Sequence, residues 1–201
     1  MTQLTEYREI APGVISTRVL EHDVCAQMLD EAQFGAWLQA EITNYDDKKT
    51  LSQYVDLQSR NVQVKGPKQI PNLCDFYSGL LNRIGMPLID QYWGIRGLHL
   101  GGSTQLAKYE VGSHIRAHND TAAEFSARCV TALLYLNDDY EGGELFFPRL
   151  EVNYRAKAGE LVLFPSEYLH AVWPVTKGTR YCFVGFFLSA VFGNWVDLIQ
   201  A

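Results

Sequence analysis

The sequence predicts a mainly β fold with flanking α-helices, in which antiparallel strands form a sandwich or a jelly-roll barrel. Three observations point there. From about residue 96 the chain is dense in β-branched and aromatic residues broken by glycine, the chemistry of strands and turns. The apolar runs are short and separated by Gly, Pro and Asn-Asp, without the intervening helices that a parallel sheet requires. The first 95 or so residues instead mix helical spacing with polar loops, which suits a support laid against the sheet.

A chain of 201 residues that is 47% hydrophobic can build one core. No repeat, low-complexity tract or Gly/Ser- or Pro-rich linker divides it. One domain over 1–201 is therefore expected, with helical support over 1–95 and a jelly-roll core over about 96–190. Lys and Arg number 17 against 23 Asp and Glu, a formal charge of −6, which is the wrong sign for gripping a phosphate backbone. Nucleic acid is not an expected partner. The longest apolar stretch, Tyr181 to Phe192, is interrupted by Gly185 and Ser189 and falls short of the ~20 residues of a membrane span. The opening MTQLTEYREIAPG lacks the basic-then-apolar order of a secretory signal. Cys25, Cys74, Cys129 and Cys182 include no close pair of the kind that zinc knuckles and redox motifs need, and read as buried thiols in a reducing cytoplasm.

Taken in order, Asp23 is placed to cap a helix whose apolar positions Met28, Leu29, Ala32, Ala36 and Leu38 recur at roughly helical spacing. A second helix starts at Pro71 and runs through Phe76, Leu80, Leu81 and Ile84 toward Tyr92. Asn44 to Gly66 carries no clear period, and Asp46-Asp47-Lys48-Lys49 reads as a solvated loop. From Thr104, the residues Leu106, Lys108 and Glu110 alternate with Gln105, Ala107 and Tyr109; a turn at Gly112-Ser113 then leads into the strand His114 to His118. Further strands are expected at Arg128–Leu136, Leu145–Phe147, Leu161–Phe164 and Arg180–Leu188. Gly142-Gly143 is a turn, because the Lys-Ser/Thr and helix start of a phosphate loop are missing. Trp173, Phe183, Phe186 and Phe187 are expected in the core.

The chemistry concentrates in one constellation. His118 and Asp120 end a strand two residues apart, so both side chains can reach one metal ion, and His170 follows the strand Leu161–Phe164 after the bend Pro165-Ser166-Glu167. Two neutral imidazoles and a carboxylate on one face of a metal suit non-haem Fe(II) and leave the opposite face open. They are acceptable zinc ligands too. A bidentate 2-oxo acid could take two open positions and dioxygen the last. Arg180, beyond the turn Thr176-Lys177-Gly178-Thr179, can grip the acid's far carboxylate in two parallel hydrogen bonds. His114 sits four before His118, on the same face of a continuous strand. A further imidazole would fill an open position, so His114 is read as a solvent-facing strand-end residue; His22 and His99 are read as structural.

Four ordered blocks carry a resemblance. They are Tyr109-Glu-Val-Gly112 ahead of His118-Asn-Asp120, Arg128-Cys-Val-Thr131 leading to Tyr135-Leu-Asn137, Glu141-Gly-Gly-Glu-Leu-Phe-Phe-Pro148, and His170-Ala-Val-Trp-Pro-Val-Thr-Lys-Gly-Thr-Arg180-Tyr. Over roughly Leu106 to Leu188 the chain resembles the Fe(II)- and 2-oxoglutarate-dependent dioxygenases of the prolyl 4-hydroxylase-like branch. The resemblance implies a double-stranded β-helix, the jelly roll of cupin-like barrels, with His118, Asp120 and His170 as iron ligands. It implies that Arg180 pairs with the distal carboxylate of 2-oxoglutarate, that Tyr135 adds a hydrogen bond there, and that Tyr109 lines the cosubstrate pocket. Strand alternation from Tyr135 turns Thr131 toward the same region. Related halogenases carry a small residue in place of the carboxylate, so Asp120 favours hydroxylation.

The implied reaction hydroxylates an aliphatic C–H of an amino-acid-type substrate, with Fe(II), 2-oxoglutarate and O2 consumed or used, succinate and CO2 released, and ascorbate in support. The substrate is a prolyl or other residue of a peptide or protein, or a free amino acid or small metabolite. Lys48 to Pro71 and the loop Thr121 to Ala127 are the segments expected to select it, and Arg128 is a candidate contact to an acidic substrate. Two alternatives keep the same residues. One is a zinc-dependent hydrolase or isomerase, for which no glutamate stands at helical spacing to the histidines as general base. The other is a β-barrel binding module without turnover.

Overall fold

The computed structural model describes residues 6–45, 51–121 and 127–189. The chain opens with strands β1 (Arg8–Ala11) and β2 (Val14–Arg18) and helix α1 (His22–Ala32). Five short strands follow: β3 (Leu38–Gln39), β4 (Ile42–Tyr45), β5 (Leu51–Tyr54), β6 (Arg60–Asn61) and β7 (Gln63–Lys65). Helix α2 (Pro71–Leu80) runs through a π turn (Leu81–Gly85) into α3 (Met86–Trp93). The remainder is strand: β8 (Leu98–Tyr109), β9 (His114–His118), β10 (Arg128–Tyr135), β11 (Glu141–Gly142), β12 (Leu145–Phe147), β13 (Val152–Tyr154), β14 (Glu160–Pro165), β15 (His170–Val172), β16 (Val175–Lys177) and β17 (Arg180–Ser189).

The major sheet has the order β1-β2-β14-β10-β17-β8-β7-β3 and the minor sheet the order β13-β12-β15-β9-β6, with antiparallel pairing throughout. Alternation along β10 sets the layers. Val130, Ala132 and Leu134 face the helices, packing with Met28, Leu73, Tyr77 and Leu81, whereas Leu133 and Tyr135 face Leu145 and Phe147 of the minor sheet. The functional side chains project into this space between the sheets. The two sheets remain open and do not close into a barrel.

Several local expectations are corrected. Glu21, not Asp23, occupies the N-cap of α1, and Asp23 lies in its first turn. The helix stops at Ala32, before Ala36 and Leu38, because the fully buried Lys65 ammonium binds its end through the carbonyls of Ala32 (2.6 Å) and Phe34 (2.8 Å). The second helix spans the predicted range but widens at Leu81–Gly85, where the Met86 N–H reaches back to the Leu81 carbonyl. Pro87 has no N–H for the Arg83 carbonyl and its ring would crowd it, which accounts for the wider turn.

The first 95 residues contribute strands as well as helices. β2 pairs with β14, β7 with β8 and β6 with β9, so both sheets draw on this half. Strands of two to five residues are too short to display a period. The expected loop at 46–49 lies outside the described residues, as do residues 122–126 of the loop Thr121 to Ala127. Phe183 and Phe187 are core, but Trp173 is 45% exposed and stacks on Phe146, and Phe186 lies under the Arg128 guanidinium at 3.6 Å. All four cysteines are free thiols, three of them buried; burial pushes Cys25 and Cys182 up to about 11. No helix among the described residues is long and apolar enough to cross a membrane.

Gly159 couples the N-terminal strands to the major sheet. Its carbonyl accepts from Val19 N–H and its N–H donates to the Tyr135 carbonyl, at φ +82°. A Cβ there would lie 2.0 Å from the Leu20 carbonyl oxygen. Gly159→Ala is expected to destabilise the fold by roughly 2–6 kcal/mol, combining positive-φ strain with overpacking, read as a lower urea midpoint at unchanged slope.

Candidate metal centre and anion cradle

Antiparallel pairing of β9 with β15 sets His118 opposite His170. Val172 pairs with Ile115 in the next register, so β9 carries one extra residue between the two pairs. That bulge lets both Ile115 and His118 face the space between the sheets. It also places His114 on the other face, where its ring nitrogens contact the carbonyls of Gly112 and Gln58. The continuous-strand expectation for His114 is thereby corrected, and the histidine stands away from the cluster.

Asp120 follows β9 and is fixed by its N–H, which donates to the Ser166 carbonyl (2.8 Å) in the bend after β14. Its Oδ1 lies 3.4 Å from His118 Nε2 and its Oδ2 3.6 Å from His170 Nε2. One donor atom from each of the three residues falls within 4.8 Å of the others. Both imidazoles are oriented from behind: His118 Nδ1–H donates to the Arg116 carbonyl and His170 Nδ1–H to the Tyr168 carbonyl, each at 2.9 Å. A carbonyl only accepts, so the proton sits on Nδ1 and the Nε2 lone pair faces the cluster.

The electrostatics prepare the same three groups. Burial holds His170 down to about 4, against the pull of the Asp120 charge, so the ring is neutral at pH 7. For Asp120 burial works upward, but the adjacent His118 ring, the charges that both histidines carry in acid and the Thr131 hydroxyl bring it down to about 2. The cluster thus offers an ionised carboxylate and a neutral buried imidazole without releasing protons first. Two imidazoles and a carboxylate, gathered on one side, fit Fe(II).

Thr131, read from the sequence as a cosubstrate-pocket residue, donates its hydroxyl to Asp120 Oδ2 (2.7 Å) and contacts Ser166 Oγ at 2.9 Å. Ser166 is fully buried and was not singled out by the sequence beyond its place in the bend. Thr131→Val is expected to weaken metal binding about 10–100-fold, as loss of an outer-shell partner does, without changing the fold; a metal titration followed by calorimetry measures it. Arg128 donates to the Asp120 carbonyl (3.4 Å) and so stands beside the cluster.

Deeper between the sheets, Arg180 at the start of β17 pairs with Tyr109 of β8. The guanidinium is 1% exposed. Its Nη2 donates to the Tyr135 hydroxyl (3.1 Å), and its charge lies over the rings of Tyr109 (4.3 Å) and Tyr135 (4.8 Å). Burial opposes the charge, yet the groups around it, Tyr135 foremost, favour the protonated form and keep its pKa well above the usual range. Nε and Nη1 have no hydrogen-bond partner, and among the described residues no carboxylate pairs with the side chain. A buried cation with idle N–H groups is a receptor for an anion. The structure brings His118, Asp120 and His170 into one group and Arg180, Tyr135 and Tyr109 into another, while Tyr140, also buried at this cradle, carries no sequence signal beyond preceding Gly142-Gly143.

The profile described as the 2OG-Fe(II) oxygenase superfamily matches residues 104–188, which include every residue named above for metal and anion. A PKHD-type hydroxylase of Prochlorococcus marinus (strain NATL2A) is 34% identical over 184 residues, covering 87% of this chain and 80% of that protein. The chain belongs to the 2OG-Fe(II) oxygenase superfamily. Another relative in the superfamily, a PKHD-type hydroxylase of Synechococcus sp. (strain CC9902), is 35% identical over 113 residues, 54% of this chain; the match spans about half, 50%, of that relative's length. The solved prolyl-4-hydroxylase of Pseudomonas putida superposes with a TM-score of 0.63 at 24% identity, covering 88% of this chain and 92% of the other. This likeness shows that the superfamily's double-stranded β-helix, resembling prolyl hydroxylases, is the fold of this chain.

Proposed function

We propose that this chain is an Fe(II)- and 2-oxoglutarate-dependent hydroxylase acting on an aliphatic C–H of an amino-acid-type substrate, with His118, Asp120 and His170 as metal ligands. The observation that carries the reading is Arg180: a fully buried guanidinium, unmatched by any carboxylate of the described chain, in the same intersheet space as a His/Asp/His cluster. Arg180 takes the distal carboxylate of 2-oxoglutarate, and Tyr135, whose oxygen already accepts from Arg180, has its own proton free to donate to the same carboxylate. Tyr109 presses its ring on the guanidinium and holds it in place.

Bound Fe(II) supplies the oxidising chemistry by which O2 and 2-oxoglutarate convert C–H to C–OH with release of succinate and CO2. The chain's own work is physical. Thr131 and Ser166 hold the Asp120 carboxylate in place, and the Arg116 and Tyr168 carbonyls hold the two ring tautomers. Phe147 and Phe164, packed against His170, wall one side with apolar surface and keep water from it. His118 is the more exposed ligand, with 36% of its side chain accessible, so the substrate approaches from its side. Arg128 stands there as a contact for an acidic substrate group.

A zinc hydrolase would leave the Arg180 cradle without a use, and the side chains described in contact with the cluster, Thr131, Phe147 and Phe164, include no general base. Ascorbate is proposed as supporting reductant, and the four free thiols support a reducing, cytoplasmic setting. The test is succinate formation by the purified chain with Fe(II), ascorbate and 2-oxoglutarate across prolyl peptides, free amino acids and small metabolites. Substrate-dependent succinate supports the reading, and its absence under all of them, with no 2-oxoglutarate binding, overturns it.

A further inference from the structure

Among the buried polar side-chain atoms that lack a hydrogen-bond partner, three belong to two neighbouring side chains: Arg180 Nε, Arg180 Nη1 and the Tyr140 hydroxyl. Tyr140 and Arg180 flank Gly143, where an added Cβ would stand 3.2 Å from Arg180 Cδ and 3.4 Å from Tyr140 Cε2. Burial pushes the Tyr140 phenol up and the Arg180 guanidinium pulls it back, so the two groups act on each other. Tyr140 is itself 1% exposed, and its ring is fixed by Arg155, which lies over it at 5.1 Å and donates to the Tyr140 carbonyl. A buried phenol normally finds an acceptor, and desolvating it without one is unfavourable.

We infer that Tyr140 is a cosubstrate-binding residue: its hydroxyl donates to the distal carboxylate of the 2-oxo diacid held by Arg180, as the second phenol of the cradle beside Tyr135. The inference rests on the 2-oxoglutarate reading above and adds to it a residue that the motif blocks left unassigned. The donor count agrees. A carboxylate offers about four acceptor sites, and the cradle presents Arg180 Nε, Arg180 Nη1, the free proton of Tyr135 and the hydroxyl of Tyr140. Tyr109 has a different part, since it meets the guanidinium with its ring face. Gly143 leaves this side of the cradle free, because a Cβ there would crowd Val175 (2.9 Å) and Arg180 (3.2 Å) while only touching the Tyr140 ring.

The consequence is selectivity for a diacid. 2-Oxopentanoate has the same chain length as 2-oxoglutarate and lacks only the distal carboxylate. The experiment titrates both acids, by calorimetry, into the Zn(II)-loaded chain, which binds without turnover, for wild type, Tyr140→Phe and Arg180→Met. Tyr140→Phe is expected to weaken 2-oxoglutarate about ten- to hundredfold, the range for a hydrogen bond to a charged group, and to leave 2-oxopentanoate unchanged. Its ligand-free melting temperature is expected to equal or exceed that of wild type, because the hydroxyl it removes has no partner. Wild-type affinity of Tyr140→Phe for 2-oxoglutarate, while Arg180→Met loses it, overturns the role of Tyr140 and leaves the cosubstrate reading standing. Equal weakening of both acids, or a lowered ligand-free melting temperature, assigns Tyr140 to the fold and also overturns it. If wild type binds the two acids equally, the cosubstrate reading itself falls.

Discussion

Asp120→Ala leaves a folded protein that holds Fe(II) at least about 100-fold more weakly and forms no succinate with any substrate. The threshold follows from comparison: losing an outer partner such as Thr131 costs about 10–100-fold, and a ligand must exceed that. Asp120 brings the negative charge of the cluster, since it stays ionised down to about pH 2, whereas His170 is neutral. Without it two imidazoles face the metal alone. The fold should survive, because burial already works against the carboxylate and the backbone bond from Asp120 N–H to the Ser166 carbonyl remains. Metal content by elemental analysis, beside a melting curve, measures both halves. A variant that keeps Fe(II) stoichiometrically would remove Asp120 from the ligand set.

Arg180→Met separates ligand binding from stability in opposite directions. The wild-type side chain is a buried cation whose Nε and Nη1 are idle, so the ligand-free fold carries its desolvation without full return. A methionine of similar reach removes that penalty, and the ligand-free variant is expected to be as stable as wild type or more stable, by up to roughly 1–4 kcal/mol. 2-Oxoglutarate raises the wild-type melting temperature by mass action and leaves that of the variant unmoved. Metal binding should be unaffected, since Arg180 stands on β17 whereas β9 with the residue pair after it, and β15, hold the His/Asp/His cluster. Loss of metal and of 2-oxoglutarate together would mean that Arg180 holds the fold rather than the cosubstrate.

The candidate metal cluster was legible in the sequence because it sits in short, ordered blocks. His118 and Asp120 are two residues apart, and the blocks around His170 and Arg180 keep their order, so residue type and spacing reach the chemistry directly. The helix at Pro71 was equally plain, though its π turn depends on how Pro87 meets the preceding carbonyl. Less was visible in the first half, where strands of two to five residues take their geometry from partners far along the chain: β2 from β14, β6 from β9, β7 from β8. The end of α1 was decided by Lys65, an ammonium more than thirty residues away.

Residue identity and spacing by themselves pointed to His118, Asp120 and His170 as a candidate ligand trio, to Arg180 as its proposed anion partner and to the predominance of antiparallel strands. Tertiary structure alone decided that a bulge in β9 turns His118 inward and His114 away, that Thr131 serves the carboxylate of Asp120, and that Tyr140 reaches the cradle of Arg180. Strand parity is a sum over the whole ladder, so one extra residue reverses every face beyond it, and only the paired strand reveals where that residue lies.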